Sequence, residues 1–91
     1  MCRNIKPLFN FEPKASQGEI HDAALQYVRK LTGMNKPNDS NQQAFDEAVK
    51  EIAHVTFHLF GHLETKAEPK NREVEAQKAK LRNEKRFGKK N

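Results

Sequence analysis

Apolar residues recur at intervals of three and four along two stretches of this chain, and the spacing predicts two amphipathic helices. In the first stretch Ile20, Ala23, Ala24, Tyr27, Val28 and Leu31 share one side, while His21, Asp22, Gln26, Arg29 and Lys30 fill the others. Ser16-Gln17-Gly18-Glu19 precedes it as a capping box: the serine hydroxyl accepts from the Glu19 amide and the Glu19 carboxylate reaches back to the Ser16 amide. Gly33 is a natural stop, because glycine takes the left-handed conformation that closes a helix. In the second stretch Phe45, Ala48, Val49, Ile52, Val55, Leu59 and Leu63 form one stripe, with Phe60 on the same side and Phe57 near its edge. Lys36-Pro37-Asn38-Asp39 has the composition of a turn, and Ser40-Asn41-Gln42-Gln43 offers a second capping box, so the second helix is expected to begin there. Gly61 weakens its end by about 1 kcal/mol relative to alanine, or stops it.

Two such helices joined by a short turn make a hairpin, and two stripes alone leave apolar surface open. Leu8, Phe9 and Phe11 lie between Pro7 and Pro13, a segment expected to be extended and to lie across the hairpin as an arm. A third helix is expected from Arg72 to about Arg86, capped by Asn71, with Glu73 and Glu75 in the first turn where the helix dipole favours them. Its sizeable apolar residues are only Val74, Leu81 and Phe87, with Ala76 and Ala79 between, so it docks lightly and frays. The expected fold is all-α: an N-terminal extended arm on a two-helix hairpin, then a basic third helix. Arm and hairpin occupy residues 1–65 and the basic helix and tail residues 66–91 of a single domain.

Composition limits how much of this can be buried. The chain has 91 residues, 35% hydrophobic and 32% charged, with a mean hydropathy of -0.99, which is too polar for one close-packed core throughout. A single cysteine cannot close an internal disulfide, and no apolar leader follows a basic start, so a cytoplasmic protein is expected rather than a secreted scaffold. The charge-free run from Ile52 to Leu63 is shorter than the roughly 20 residues a membrane span needs, and it contains three histidines.

Charge divides the chain unevenly. Residues 1–63 hold seven Lys/Arg and seven Asp/Glu, whereas residues 64–91 hold ten and five, so the whole excess of +5 lies in the last third. Lys78, Lys80, Arg82, Lys85, Arg86, Lys89 and Lys90 are dense enough to neutralise several phosphates of RNA or DNA, giving salt-dependent and weakly specific binding. Phe87 is the one aromatic among them, and no helix-turn-helix, zinc-finger or RNP pattern is present.

Two further groups could carry chemistry. Cys2 follows the initiator methionine, which is commonly trimmed before so small a residue; that would leave a 1,2-aminothiol beside Arg3, Asn4 and Lys6, able to act as redox thiol, metal ligand or nucleophile. A nucleophile also needs an oxyanion site and a pocket, and a small hairpin supplies little concave volume, so packing beside Ile5 and Leu8 competes with reactivity. On the second helix Glu47, Glu51, His54, His58 and His62 occupy one arc of about 80° opposite the apolar stripe. Histidines four apart can chelate zinc or copper, and Glu51-Ile52-Ala53-His54 matches the Glu-x-x-His unit of di-iron bundles. Such bundles need a second Glu-x-x-His, which is lacking, and no His-Glu-x-x-His is present either; a solvated face is expected, with no cofactor.

Three segments carry a resemblance to a known family: the opening Met1-Cys2-Arg3-Asn4-Ile5-Lys6-Pro7-Leu8-Phe9-Asn10-Phe11-Glu12-Pro13, the run Ala24-Leu25-Gln26-Tyr27-Val28-Arg29-Lys30-Leu31-Thr32-Gly33, and Asn71-Arg72-Glu73-Val74-Glu75-Ala76. Together they resemble a bacterial family of unknown function, numbered 2277. Its pattern is strict over the opening arm and the Arg-Glu-Val-Glu-Ala stretch and does not include the histidine face. The resemblance implies a small cytosolic domain and brings no activity, cofactor or partner with it. The residues themselves point to a non-enzymatic binding module whose basic C-terminal helix meets an anionic partner such as RNA or DNA, with thiol or metal chemistry at Cys2 as the alternative.

Overall fold

The two periodic stretches become the two longest helices with little change. α1 spans Gln17–Thr32 and α2 spans Asp39–His62. In the computed structural model, which describes residues 5–87 and side chains through residue 84, they form the expected hairpin. The Ser16 box closes in both directions: the Glu19 amide donates to Ser16 Oγ at 3.1 Å and the Ser16 amide donates to Glu19 Oε1 at 2.9 Å. Gly33 ends α1 at φ 72°, its amide donating to the Arg29 carbonyl at 2.9 Å. α2 starts earlier than its second capping box implies. Asn38 is the cap, its Oδ1 accepting from the Asn41 amide at 3.2 Å, and the Ser40 hydroxyl donates to the same oxygen at 3.0 Å. The earlier start places Asp39 in the first turn, where the helix dipole favours a carboxylate. Gly61 does not stop α2, which runs one residue further before Leu63 caps it.

The hairpin core is small. Ala24, Val28, Phe45 and Val49 cluster, with Leu25, Ala48, Ile52 and Ala53 partly buried against them, and Ile20 is buried as well. Among the described residues no side chain is less than 2% exposed.

The arm lies across the end of α2, with the Phe9 and Phe60 rings 5.7 Å apart and inclined at 51°, but a turn at Phe9–Asn10 interrupts the extended course its prolines imply. It also makes a contact that the hydropathy pattern does not contain. Phe11–Glu12 forms a short strand, β1, paired in parallel with β2 at Lys70–Asn71, in the register Phe11 to Lys70 and Glu12 to Asn71. Two-residue strands are too short to alternate visibly, and a parallel pair drawn from distant parts of the chain leaves no local trace.

α3 spans Arg72–Phe87 and grows directly out of β2, with the Val74 amide donating to Asn71 Oδ1 at 3.0 Å as expected of the cap. It packs on β2, and it reaches the hairpin through its first residue, Arg72, which pairs with Glu19 of α1. The architecture is therefore helical, three helices and one small strand pair among the described residues, with the arm tying the third helix to the other two. Among the described residues no helix is long and apolar enough to cross a membrane.

Candidate functional site

The site is built where the arm returns to the start of α3. Asn10 takes the left-handed conformation at φ 64°, which asparagine tolerates better than most residues. This turns its side chain toward the segment before β2, where Nδ2 donates to the Ala67 and Glu68 carbonyls at 3.3 Å each. Its own carbonyl accepts from the Lys70 amide at 2.9 Å.

Arg72, the first residue of α3, then locks the arm to α1. Its Nε donates to the Pro13 carbonyl at 2.6 Å, and its two terminal nitrogens donate to the two Glu19 oxygens at 2.7 and 2.8 Å. The planar guanidinium fork suits this geometry, holding a carboxylate with two parallel bonds and a carbonyl with the third. Glu19 thus serves as capping-box carboxylate and as anchor for Arg72. The hydrogen bonds from Arg72, and after them the one from the Ser16 amide, lower its pKa from 4.5 to about 2 against the opposing effect of burial. The Arg72 pKa is raised by the same pairing.

The sign of the resulting pH dependence follows. A carboxylate whose folded pKa is depressed contributes stability above its unfolded pKa, and that contribution is lost as pH falls through the folded value. Wild-type protein should therefore lose its advantage over Glu19→Gln between pH 4.5 and about 2. Denaturant midpoints of the two proteins across that range check this; a gap that stays constant with pH would show that the charge on Glu19 is not what holds Arg72.

Phe11 lies at the centre of the junction, with Lys70 Nζ 5.8 Å and Arg72 Cζ 6.0 Å from its ring centroid, both within cation–π range. Beside it runs a groove of about 810 Å³ between arm and α3. Lys6 lines it from the arm, Lys70 and Arg72 from the junction, and Lys80 and Arg82 from α3, with Glu75 and Glu84 as the acidic members. Of the basic residues singled out in the sequence, Lys80 and Arg82 reach this groove. Lys78 is 3.5 Å from Glu75, a half-exposed pair of small energetic weight. Lys85 and Arg86 belong to the end of α3, where side chains lie outside the described part, as do Lys89 and Lys90 altogether. Lys6, Lys70 and Arg72 were not singled out from the charge pattern. The available clue was the resemblance, strict over the two segments that the Arg72 fork joins.

A second concavity of about 410 Å³ lies between the arm and the end of α2, walled by Leu8, Phe9, Ile20, Phe57 and Phe60, with His58 and His62 along it. The histidine face is exposed. His54 and His58 have ring centroids 4.5 Å apart, His58 and His62 stack at 6.4 Å and 19°, and His62 Nδ1 lies 2.8 Å from the His58 carbonyl. Glu51 lies on this face, but among the described residues no group of three His, Cys, Asp or Glu is placed to hold a metal ion. Cys2, Arg3 and Asn4 lie outside the described residues.

Arm, hairpin and the start of α3 all fall within residues 1–78, which match the family model described as Uncharacterized conserved protein (DUF2277), and the chain belongs to that family. No curated protein and no solved structure matches it.

Proposed function

We propose that the protein is a small non-enzymatic binding module of the cytosol whose arm and basic third helix together grip an anionic polymer, RNA or DNA. One observation carries the reading: four cationic side chains, Lys6, Lys70, Lys80 and Arg82, line the groove beside Phe11 from three separate parts of the chain, against Glu75 and Glu84, with Arg72 beside them already held by Glu19. Phosphate backbones bind such surfaces mainly by releasing counterions, so affinity is salt-dependent and tolerant of sequence. A single aromatic ring in the groove is too little for a stacking platform, and phosphate contacts dominate.

Fluorescence anisotropy of the full chain with labelled single-stranded RNA and duplex DNA, over a range of salt, tests this. Affinity should fall steeply with salt, and Lys80→Glu with Arg82→Glu should flatten the log–log slope by about 0.7–0.9 for each lost phosphate contact. Lys6→Glu should weaken binding too, although it lies on the arm. The reading fails if nothing binds at low salt, or if deleting residues 78–91 leaves affinity unchanged.

A further inference from the structure

The binding of RNA or DNA leaves the concavity between the arm and the end of α2 without a role, yet it is shaped like a site for a small molecule. Its volume of about 410 Å³ falls within the range of ligand pockets, about 300–1,000 Å³. Phe9, Phe57 and Phe60 wall it together with the buried Ile20. The Phe9 and Phe60 rings are inclined at 51°, an arrangement that can take a further ring edge-on or offset. Phe57 is 45% exposed, so apolar surface in the cavity is still open to a guest.

Gly61 in the wall is a second observation. α2 runs through this residue without the left-handed angles that need glycine, and a Cβ placed on it would meet nothing within 4 Å. The fold therefore does not ask for glycine here, although glycine costs a helix about 1 kcal/mol relative to alanine. What the bare Cα supplies is room in the cavity, one turn beyond Phe57 on the same side of α2.

The edge of the cavity carries one charge of each sign. Glu12 and Lys14 both line it, both are exposed, and among the described residues neither belongs to an ion pair. The last turn of α2 borders the cavity through Gly61 and His62, and the partial negative charge at a helix C-terminus favours a cation there. His58 and His62 complete the polar edge, with His62 Nδ1 held 2.8 Å from the His58 carbonyl.

We infer that this cavity binds a free amino acid with an aromatic side chain. The ring enters among the phenylalanines, the carboxylate meets Lys14, and the ammonium meets Glu12 and the end of α2. An apolar acid would bring its carboxylate to Glu12 without a compensating amine, and an apolar amine would bring its ammonium to Lys14. A zwitterion with an apolar body matches both charges. This site goes beyond the proposed grip on nucleic acid and does not depend on it.

Titration of the full chain with L-phenylalanine, followed by amide chemical shifts, is the test. Saturable shifts are expected at residues 8–15 and 57–62. Phenylpropionate, which lacks the amine, and phenethylamine, which lacks the carboxylate, should each bind about tenfold more weakly, the effect of losing one charge-assisted hydrogen bond. Glu12→Gln should erase the preference over phenylpropionate, and Lys14→Met the preference over phenethylamine. Gly61→Leu should abolish binding while leaving the thermal midpoint at or above that of the wild type, which separates a filled cavity from an unfolded protein. Absence of saturable shifts overturns the inference. So does binding of either analogue as tight as that of phenylalanine, or undiminished binding by Gly61→Leu.

Discussion

Phe45→Ala is expected to abolish most of the helical signal in far-UV circular dichroism at ambient temperature. Phe45 is 8% exposed and is the largest member of a buried cluster otherwise made of alanine and valine. Truncating a buried phenylalanine costs about 3–5 kcal/mol, through lost transfer energy and the cavity left behind. Whole small domains are stable by only about 5–15 kcal/mol, and a core this small belongs at the lower end. Phe57→Ala is the matching control, since Phe57 lies on the same helix but is 45% exposed. Its loss should lower the melting midpoint far less. Equal effects from the two substitutions would mean that the clustered core is not where stability resides.

The second large effect is expected from Arg72→Met, which should release the arm and leave the hairpin folded. Three hydrogen bonds end on this one guanidinium, and they connect the Pro13 carbonyl, the Glu19 carboxylate and the first turn of α3. Without them, the strand pair rests on a two-residue register and the contacts of Asn10, too few to hold a chain segment by themselves. Hydrogen exchange reads this directly. Protection of the Lys70 amide, which donates to the Asn10 carbonyl, should fall by about tenfold or more, while amides in the middle of α1 and α2 change little. Arg72→Lys should not restore protection, because an ammonium keeps the charge but lacks the fork. Full recovery with lysine would assign the latch to charge alone, and an unchanged Lys70 amide would remove Arg72 from it.

Both effects trace to features of very different legibility in the sequence. The hairpin could be read because its information is local: Ser16 and Glu19 are three residues apart, Gly33 directly follows its helix, and each stripe repeats within a turn. Even the misplaced α2 start is a shift of two residues between neighbouring caps, Asn38 and Ser40, of which the earlier also brings Asp39 into the first turn. The third helix was equally plain from Asn71. The groove was not. Lys6, Lys70 and Arg72 gain their meaning from a chain reversal at Asn10 and a pairing between residues far apart, and neither composition nor periodicity encodes which distant segments meet. Glu19 illustrates the same limit, since its capping role was evident and its bond to Arg72 was not.

The latch has a consequence for how the newborn chain assembles. Arg72 and Pro13 are 59 positions apart, so the contact between them must wait until the entire hairpin and the segment after it have been synthesised. At about 5–20 residues per second, the interval lasts several seconds. α1 and α2 can pair as soon as both emerge, because their contacts are local and fast to form. Leu8, Phe9 and Phe11 are made before the hairpin, and Phe11 meets β2 only after it. An apolar segment made before the hairpin is thus secured only after it, and it is there, rather than in the hairpin, that a chaperone would have something to hold.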